Sequence, residues 1–341
     1  MKRILGIVFL LGLAALGYVY YQLKVVAAVP EDLDGPVTVQ IPTGSSYEAV
    51  MDTLAVKGVR LNRTLFDPLA EQMGFRRPRM RSGRFELQPG SSALSVLRKL
   101  RGGAQATVDV VLTTEREPMN VAAKVARFLE PDSLAFVRLF QDTQYVDSIG
   151  YTPATLQTLF IPNTYEMYWN ATPRDFVARM VKEHDRFWHA NDRLAKAEAL
   201  QLTPAEVYTL ASIVEKESLV AAERPRIAGV YLNRLRIGMP LQADPTAVFA
   251  TREFDVGRVL TRHTQFDSPY NTYRYAGLPP GPITMSSVGS IDAVLNPEDH
   301  EYLYFCARGD GSGEHNFAST LAGHSRNIAI YVANLRQRGI R

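Results

Sequence analysis

A single cysteine, Cys306, stands among 341 residues. No intramolecular disulfide can form, and no cysteine-based metal site is available. Its neighbours, Tyr302-Leu-Tyr-Phe-Cys306, are apolar, so it reads as a small buried hydrophobe; a nucleophilic thiol needs a polar, electropositive setting. Charge of one sign is also scarce. The net charge is +3, and the basic residues are dispersed apart from Arg76-Arg77-Pro-Arg79-Met-Arg81, which reads as a solvated loop. There is no electrostatic footprint for nucleic acid, and no nucleic-acid partner is expected. The histidines, at 184, 189, 263, 300, 315 and 324, never show His-Glu-x-x-His spacing, so zinc hydrolysis lacks support and neither a metal nor another cofactor is expected. His315, beside a glycine turn, reads as a surface or loop histidine. Internal repeats and low-complexity segments are absent.

Long apolar runs are limited to the N-terminus. Lys2 and Arg3 precede an uncharged stretch from Ile4 to Tyr21, about the minimum that spans a bilayer as a helix, closed by Tyr18, Tyr20 and Tyr21 at interfacial depth. This predicts a membrane anchor with a cytoplasmic N-terminus and the remaining residues outside. A cleaved signal peptide is the rival, with Ala27-Ala28 as its small-residue site, although bulky tyrosines end the run.

After a polar linker around Pro30 to Pro36, Val37-Thr-Val-Gln-Ile-Pro42 alternates like a strand. Gly44-Ser-Ser46 introduces a helical pattern from Tyr47 to Lys57. A strand, Gly83-Arg-Phe-Glu-Leu87, and a helix from Ala93 to Leu100 follow, ending at Gly102-Gly103. The order suggests a small α+β module able to bind a ligand. From Thr107-Val-Asp-Val-Val-Leu112 a larger α+β region opens, helical to about Leu235. A loop-rich stretch from Pro240 to Thr284, a short helix near Val288 to Leu295, a strand Tyr302 to Ala307 and a closing helix from about Leu321 to Arg338 complete it. The long irregular stretch calls for a functional explanation.

Thr203-Pro-Ala-Glu206 starts a helix, with Thr as N-cap, Pro first and Glu third, and the pattern runs to about Val220. At about 100° per residue, Val207, Leu210, Ala211, Ile213 and Val214 share a face. Glu217 projects within that arc. Glu215 points roughly 160° away, and Thr209, Ser212 and Lys216 complete a polar side. A carboxyl on an apolar face is desolvated, which raises its pKa and suits a general acid; a solvated glutamate at the end of the apolar stripe fits the same periodicity. Glu215 is expected to stay ionised beside a partner such as an arginine. Ser212 and Lys216 are one residue too far apart for Ser-x-x-Lys chemistry.

In the loop-rich stretch, Leu241-Gln-Ala-Asp-Pro-Thr246 precedes Ser268-Pro-Tyr-Asn-Thr-Tyr-Arg-Tyr-Ala-Gly-Leu-Pro-Pro-Gly-Pro282. Tyrosine faces interleaved with amide, hydroxyl and guanidinium groups suit a carbohydrate, and equally suit a proline-pinned surface loop with tyrosines packed inward. Together with Ala211-Ser-Ile-Val-Glu-Lys-Glu217, Glu223-Arg224 and Val230-Tyr-Leu-Asn-Arg-Leu-Arg-Ile-Gly-Met239, these motifs closely resemble the YceG-like endolytic murein transglycosylases (MltG). Phe160-Ile-Pro-Asn-Thr-Tyr165 resembles the family's upstream element, with Asn163 where an acid is often found, and His315-x-Phe317 with His324 resembles its C-terminal one.

The resemblance implies an α+β architecture in three parts: a transmembrane helix (4–22) after a short cytoplasmic tail (1–3), a linker (23–36) to a small LysM-like α+β subdomain (37–103), and a larger α+β catalytic domain (104–341) on the extracytoplasmic side of a bacterial cytoplasmic membrane. It implies cleavage inside nascent peptidoglycan glycan strands at the β-1,4 bond between MurNAc and GlcNAc, with 1,6-anhydroMurNAc ends and no water consumed, helping to terminate strand elongation. Glu217 aligns with the family's catalytic acid. Gln242, Asp244, Tyr270, Asn271 and Tyr273 are then expected at the sugars, and Glu215, Arg224, Asn233 and Arg234 as support of the site. Peptidoglycan synthases of the penicillin-binding type are the candidate protein partners. A noncatalytic, membrane-anchored scaffold that binds peptidoglycan is the alternative.

Overall fold

Residues 2–340 are described by the structure, a computed structural model, and they form a mixed α+β chain in two units. The smaller unit runs up to Val110 and also takes in Phe128–Pro131 and Tyr165–Thr172; the larger holds Val111–Arg127, Asp132–Thr164 and the chain from Pro173 onward.

The smaller unit begins with α1 (Lys2–Lys24), long and apolar enough to cross a bilayer, with none of its apolar window buried. The residues that follow do not behave as a free linker. Ala28 and Val29 are 2% and 0% exposed and sit in the core of this unit. Their backbone N–H groups donate to Ser91 O at 2.8 and 3.1 Å, so two small apolar residues become an added edge of the packing, while the polar stretch after them is solvated. Strand β1 (Val37–Ile41) pairs antiparallel with β2 (Gly83–Leu87), with Val39 opposite Phe85. Between them lie α2 (Tyr47–Val56), capped by the Ser46 side chain, and α3 (Arg63–Gln72); α4 (Ala93–Gly102) follows, capped by Ser92. The inward alternation of β1 and β2 meets Leu54, Phe66 and Leu97, all fully buried, each worth about 1.5–3 kcal/mol of burial. Two segments that the sequence assigns to the larger region return here: Glu130 accepts from Thr43 Oγ1 at 2.7 Å and Asn170 Nδ2 donates to Ser82 Oγ at 2.8 Å.

Strand β3 (Thr107–Leu112) pairs with β4 (Asn163–Tyr168). The larger unit is mainly helical: α5 (Pro118–Val125), α6 (Ser133–Gln141), α7 (Thr143–Ser148), α8 (Pro173–His189) and α9 (Arg193–Ala199) precede α10 (Pro204–Glu217). Thr203 and Glu206 close the expected capping box at the start of α10. Its end differs from the expectation, since the helix stops at Glu217 and Ser218 is extended. The polar side predicted for it is reduced to its last turn, where Lys216 is exposed. Every residue from Val207 to Val214 is buried, and the hydroxyls are absorbed inside: Thr209 donates to Ala205 O at 2.8 Å, Ser212 donates to Thr209 O at 2.7 Å and accepts from Ile283 N at 3.0 Å. A buried hydroxyl with its bonds made is tolerated where an unpaired one would cost a few kcal/mol. Ser212 is thereby committed to structure.

Around α10 pack α11 (Arg224–Arg236), α12 (Asp244–Thr251) and α14 (Val288–Leu295). Helix α12 and the short α13 (Thr261–Thr264) break up the stretch expected to be irregular, because Asp244-Pro245 supplies a helix start rather than a turn. Gly281 sits where a Cβ would lie 1.9 Å from Ala154 O, so only glycine fits. A hairpin of β5 (Tyr304–Ala307) and β6 (His315–Ala318) pairs Ala307 with His315. Its turn places Gly309, Gly311 and Gly313 at positive φ. Helix α15 (Leu321–Gln337), capped by Thr320, packs on the hairpin and buries none of its residues fully.

Candidate active site

Glu217 is the last residue of a helix whose middle, Val207 to Val214, is wholly buried, so its side chain emerges where the core opens. Two cavities meet there. The larger, of about 550 Å³, is lined by Glu217, Tyr231, Arg234, Gln242, Asp244, Tyr273, the β5 and β6 residues Tyr304, Cys306 and His315, and His324 and Tyr331 of α15. The smaller, of about 330 Å³, shares Glu217 and Asp244.

Tyr231, 1% exposed on α11, donates its hydroxyl to Glu217 Oε1 at 2.6 Å. Burial pushes the Glu217 carboxyl up from an ordinary 4.5 to about 7; the Tyr231 hydrogen bond pulls it down, Asp244 pushes it up and Arg234 pulls it down. The residue keeps an accessible edge on the cavities, but the carboxyl itself is packed about by protein, and that packing governs its ionisation. Near neutral pH a large fraction of Glu217 therefore carries a proton. Tyr231 is raised well above its ordinary value by burial and by Glu217, so it remains a donor.

Glu215, two residues earlier and on the other side of α10, has the opposite surroundings. Its Oε2 accepts from the hydroxyls of Ser287 and Ser290, each at 2.5 Å, and Arg224 lies 3.4 Å away. Burial alone would raise its pKa, but these donors together outweigh it and hold the carboxyl below the usual value. Glu215 stays ionised and ties the end of α10 to the start of α14.

Of the residues anticipated at the sugars, Gln242, Asp244 and Tyr273 line the larger cavity with Glu217. Tyr273 donates to Asp244 Oδ1 at 2.6 Å, and Gln242 takes a left-handed φ of 49° with its N–H bonded to Thr272 O. Two others do not join them. Asn271 is 0% exposed, and its amide donates to the carbonyls of His263, Thr264 and Phe266; it closes a loop and has no hydrogen left for a ligand. Tyr270 packs on Phe249, with ring centroids 4.9 Å apart, and does not line the larger cavity. The proline-rich loop thus packs its first tyrosine against Phe249, as the loop reading allowed, and brings Tyr273 to the larger cavity, while Tyr275 is exposed elsewhere on the loop.

The supporting residues divide in the same way. Arg234 lines the cavity and donates to Leu303 O at 2.7 Å and Leu241 O at 2.6 Å, fastening β5 and the α12 approach to α11. Asn233 donates to His300 O and Tyr302 O, at 2.7 and 3.1 Å, and stitches the hairpin entry to the same helix.

Sequence reasoning missed part of the site. Tyr231 lies within a family-like run but drew no role; its i,i+3 relation to Arg234 on one face of α11 is the signal that could have found it. Cys306 was expected in a core and instead borders the cavity, because β5 is a two-stranded edge with one face open; burial still raises its thiol, which keeps it protonated. His315 has its hydrogen bonding satisfied, its Nδ1 lying 2.9 Å from the buried Glu223, and it stands in the cavity wall rather than on a surface loop. His324 stacks on Tyr304 at 5.2 Å and is lowered by burial and Arg234, which favours its neutral form. Among the described residues no group of three His, Cys, Asp or Glu side chains is placed to hold a metal.

Comparison with known proteins gives one consistent family. The model of the YceG-like family matches residues 39–330. An endolytic murein transglycosylase from Bacillus subtilis is 27% identical over 338 residues, covering 94% of this chain and 92% of that protein. One from Streptococcus pneumoniae is 28% identical over 358 residues, covering 96% of this chain and 64% of that longer relative. A crystal structure of a YceG-like protein from Listeria monocytogenes aligns with a TM-score of 0.56 at 27% identity, over 86% of this chain and 99% of that one.

Proposed function

The chain belongs to the YceG-like family, and from that premise we propose that it is an endolytic murein transglycosylase in which Glu217 serves as acid and then as base. The observation that carries this reading is the buried carboxyl near pKa 7, bonded to Tyr231 and opening on two cavities at once. A group that must first give and then take a proton works best with a pKa near the working pH.

In the proposed reaction the Glu217 carboxyl protonates the glycosidic oxygen as the bond to C1 of MurNAc breaks. The substrate's acetamido oxygen stabilises the positive C1. The Glu217 carboxylate then removes the proton from the C6 hydroxyl as that oxygen bonds to C1, giving the 1,6-anhydro ring and restoring the acid. One carboxyl suffices because the second nucleophile belongs to the substrate, whereas ordinary glycosidases use a pair. Tyr231 holds one carboxylate oxygen, leaving the other for the proton transfers. Gln242, Asp244 and Tyr273 supply polar contacts to the sugars.

The same reading takes α1 as a single-pass anchor with the bulk of the chain on the extracytoplasmic side, residues 37–103 as a LysM-like glycan-binding part and 104–341 as the catalytic part. The β-α-α-β order of β1, α2, α3 and β2 supports the LysM-like assignment. Cleavage of nascent strands beside peptidoglycan synthases would limit strand length.

Asp244 lines both cavities beside Glu217, which gives a two-carboxylate hydrolase as a second reading. The two differ in product. Full-length protein in detergent, incubated with uncrosslinked glycan strands, should yield internal cuts ending in anhydroMurNAc, and Glu217→Gln should yield none. Reducing MurNAc ends would establish the hydrolase, and binding with no release of fragments would establish a scaffold.

A further inference from the structure

We propose that the smaller cavity beside Glu217 is a subsite for the carboxylate-bearing peptide carried by the glycan, with Arg116 and Lys216 receiving its negative charge. This rests on the transglycosylase reading and adds the part of the substrate that the sugars do not explain.

The two cavities meet at Glu217 and Asp244 but differ in chemistry. The larger presents tyrosines, histidines and Gln242 around the committed Arg234. The smaller, about 330 Å³, has a floor of Val248, Phe249 and Phe254 with Arg116 and Lys216 on its wall, a volume within the range of small-ligand sites. Neutral sugar rings need no such pair of cations.

Neither cation is spent on the protein. Among the described residues, the neighbouring acids are bound elsewhere: Glu115 with Lys124 at 3.7 Å, Glu117 with Arg252, and Glu215 with Arg224 at 3.4 Å. The Asp244 carboxylate on the shared wall accepts from Tyr273, and burial raises the Glu217 carboxyl so that it carries less negative charge near neutral pH than an ordinary glutamate. Arg116 is also oriented. Its guanidinium lies over the Phe254 ring, 3.7 Å from the centroid, a contact that restrains the side chain without using its hydrogen-bond donors. Lys216 is exposed and lines the same cavity as Glu217, so a charge docked there lies in the cavity that holds the acid.

A peptide fits this division of labour. Its methyl and methylene groups match the valine and phenylalanine floor, and its carboxylates match the two cations. In an endolytic cut the strand continues on both sides of the acid, so a MurNAc beside the scissile bond carries its C3 peptide into one flank of the site. Binding energy gained there, remote from the reacting atoms, can be used to orient the bond at Glu217.

The test compares peptide-bearing glycan strands having free peptide carboxylates with the same strands after carbodiimide coupling to neutral amides, using full-length protein in detergent and counting anhydro ends. Wild type should lose about tenfold or more in kcat/KM on the amidated strands, as expected when a charged hydrogen-bonding pair is broken, mostly through KM. In the double variant Arg116→Gln, Lys216→Gln the ratio between the two substrates should fall to near one, while Arg116→Lys, which keeps the charge, should retain part of it. The ratio is read on one protein at a time, so general damage to folding cancels. Equal cleavage of both substrates by wild type, or a ratio that survives in the double variant, overturns the subsite. Absence of anhydro ends from either substrate with wild type overturns instead the transglycosylase reading beneath it.

Discussion

Replacing Glu217 by Gln should make the protein more stable above neutral pH while removing its activity. The folded-state carboxyl titrates near 7 against an ordinary 4.5, a difference of about 2.5 pKa units, or roughly 3 kcal/mol at about 1.4 kcal/mol per unit. An accessible edge on the cavities lets water relieve part of that cost, so roughly 2 kcal/mol is the working figure. The sign follows from linkage. A group whose pKa is raised on folding contributes fully below its unfolded value, near pH 4.5, and that contribution is lost as pH rises through about 7. Gln is close in shape, can still accept from Tyr231, and does not titrate. At pH 4.5 the two proteins should therefore melt alike, and at pH 8.5 the variant should melt higher by roughly 4–8 °C for a unit of this size. Thermal unfolding of both full-length proteins in detergent at the two pH values measures this. A melting difference independent of pH, or a variant less stable at pH 8.5, would refute the buried-acid account.

The pH profile of anhydro-end formation should be flat on the acid side of Glu217's titration and fall tenfold per unit above about 7. Tyr231→Phe, which removes a lowering hydrogen bond, should move that limb to higher pH, and Asp244→Asn, which removes a raising charge, should move it lower; shifts in the same direction would contradict the assignment. Glu215→Gln should cost about 2 kcal/mol at pH 7 by leaving Arg224 without its carboxylate. Because the Glu215 pKa is lowered on folding from an ordinary 4.5, that deficit should shrink as the pH falls below that ordinary value and through the folded-state titration, which denaturant titration carried from neutral into acid pH would show. Gly281→Ala forces a Cβ against a main-chain carbonyl and should lower the melting temperature by well over the effect of a surface Gly→Ala change.

Helical phase was enough to separate the two glutamates of α10, and the capping box at Thr203 and Glu206 marked where the phase begins. What periodicity could not show was that the other side of α10 is also buried. Serine and threonine read as polar in any pattern, yet here their hydroxyls bond to main chain inside the core. The larger cavity was legible only in part for a similar reason. Its walls come from segments far apart in sequence, from Tyr231 through Tyr273 and the β5–β6 hairpin to α15, and no local signal joins them. Asn271 shows the converse error, since an amide in a tyrosine-rich loop suggests a ligand contact until its three carbonyl acceptors are counted.

The position of Glu217 at the very end of α10 has a consequence for the conditions under which the site works. Its raised pKa comes first from desolvation, which dissolved ions do not screen. The two charged neighbours, Asp244 and Arg234, act in opposite directions, so screening them together changes little. The proton affinity of the site is therefore set by geometry and is nearly indifferent to ionic strength.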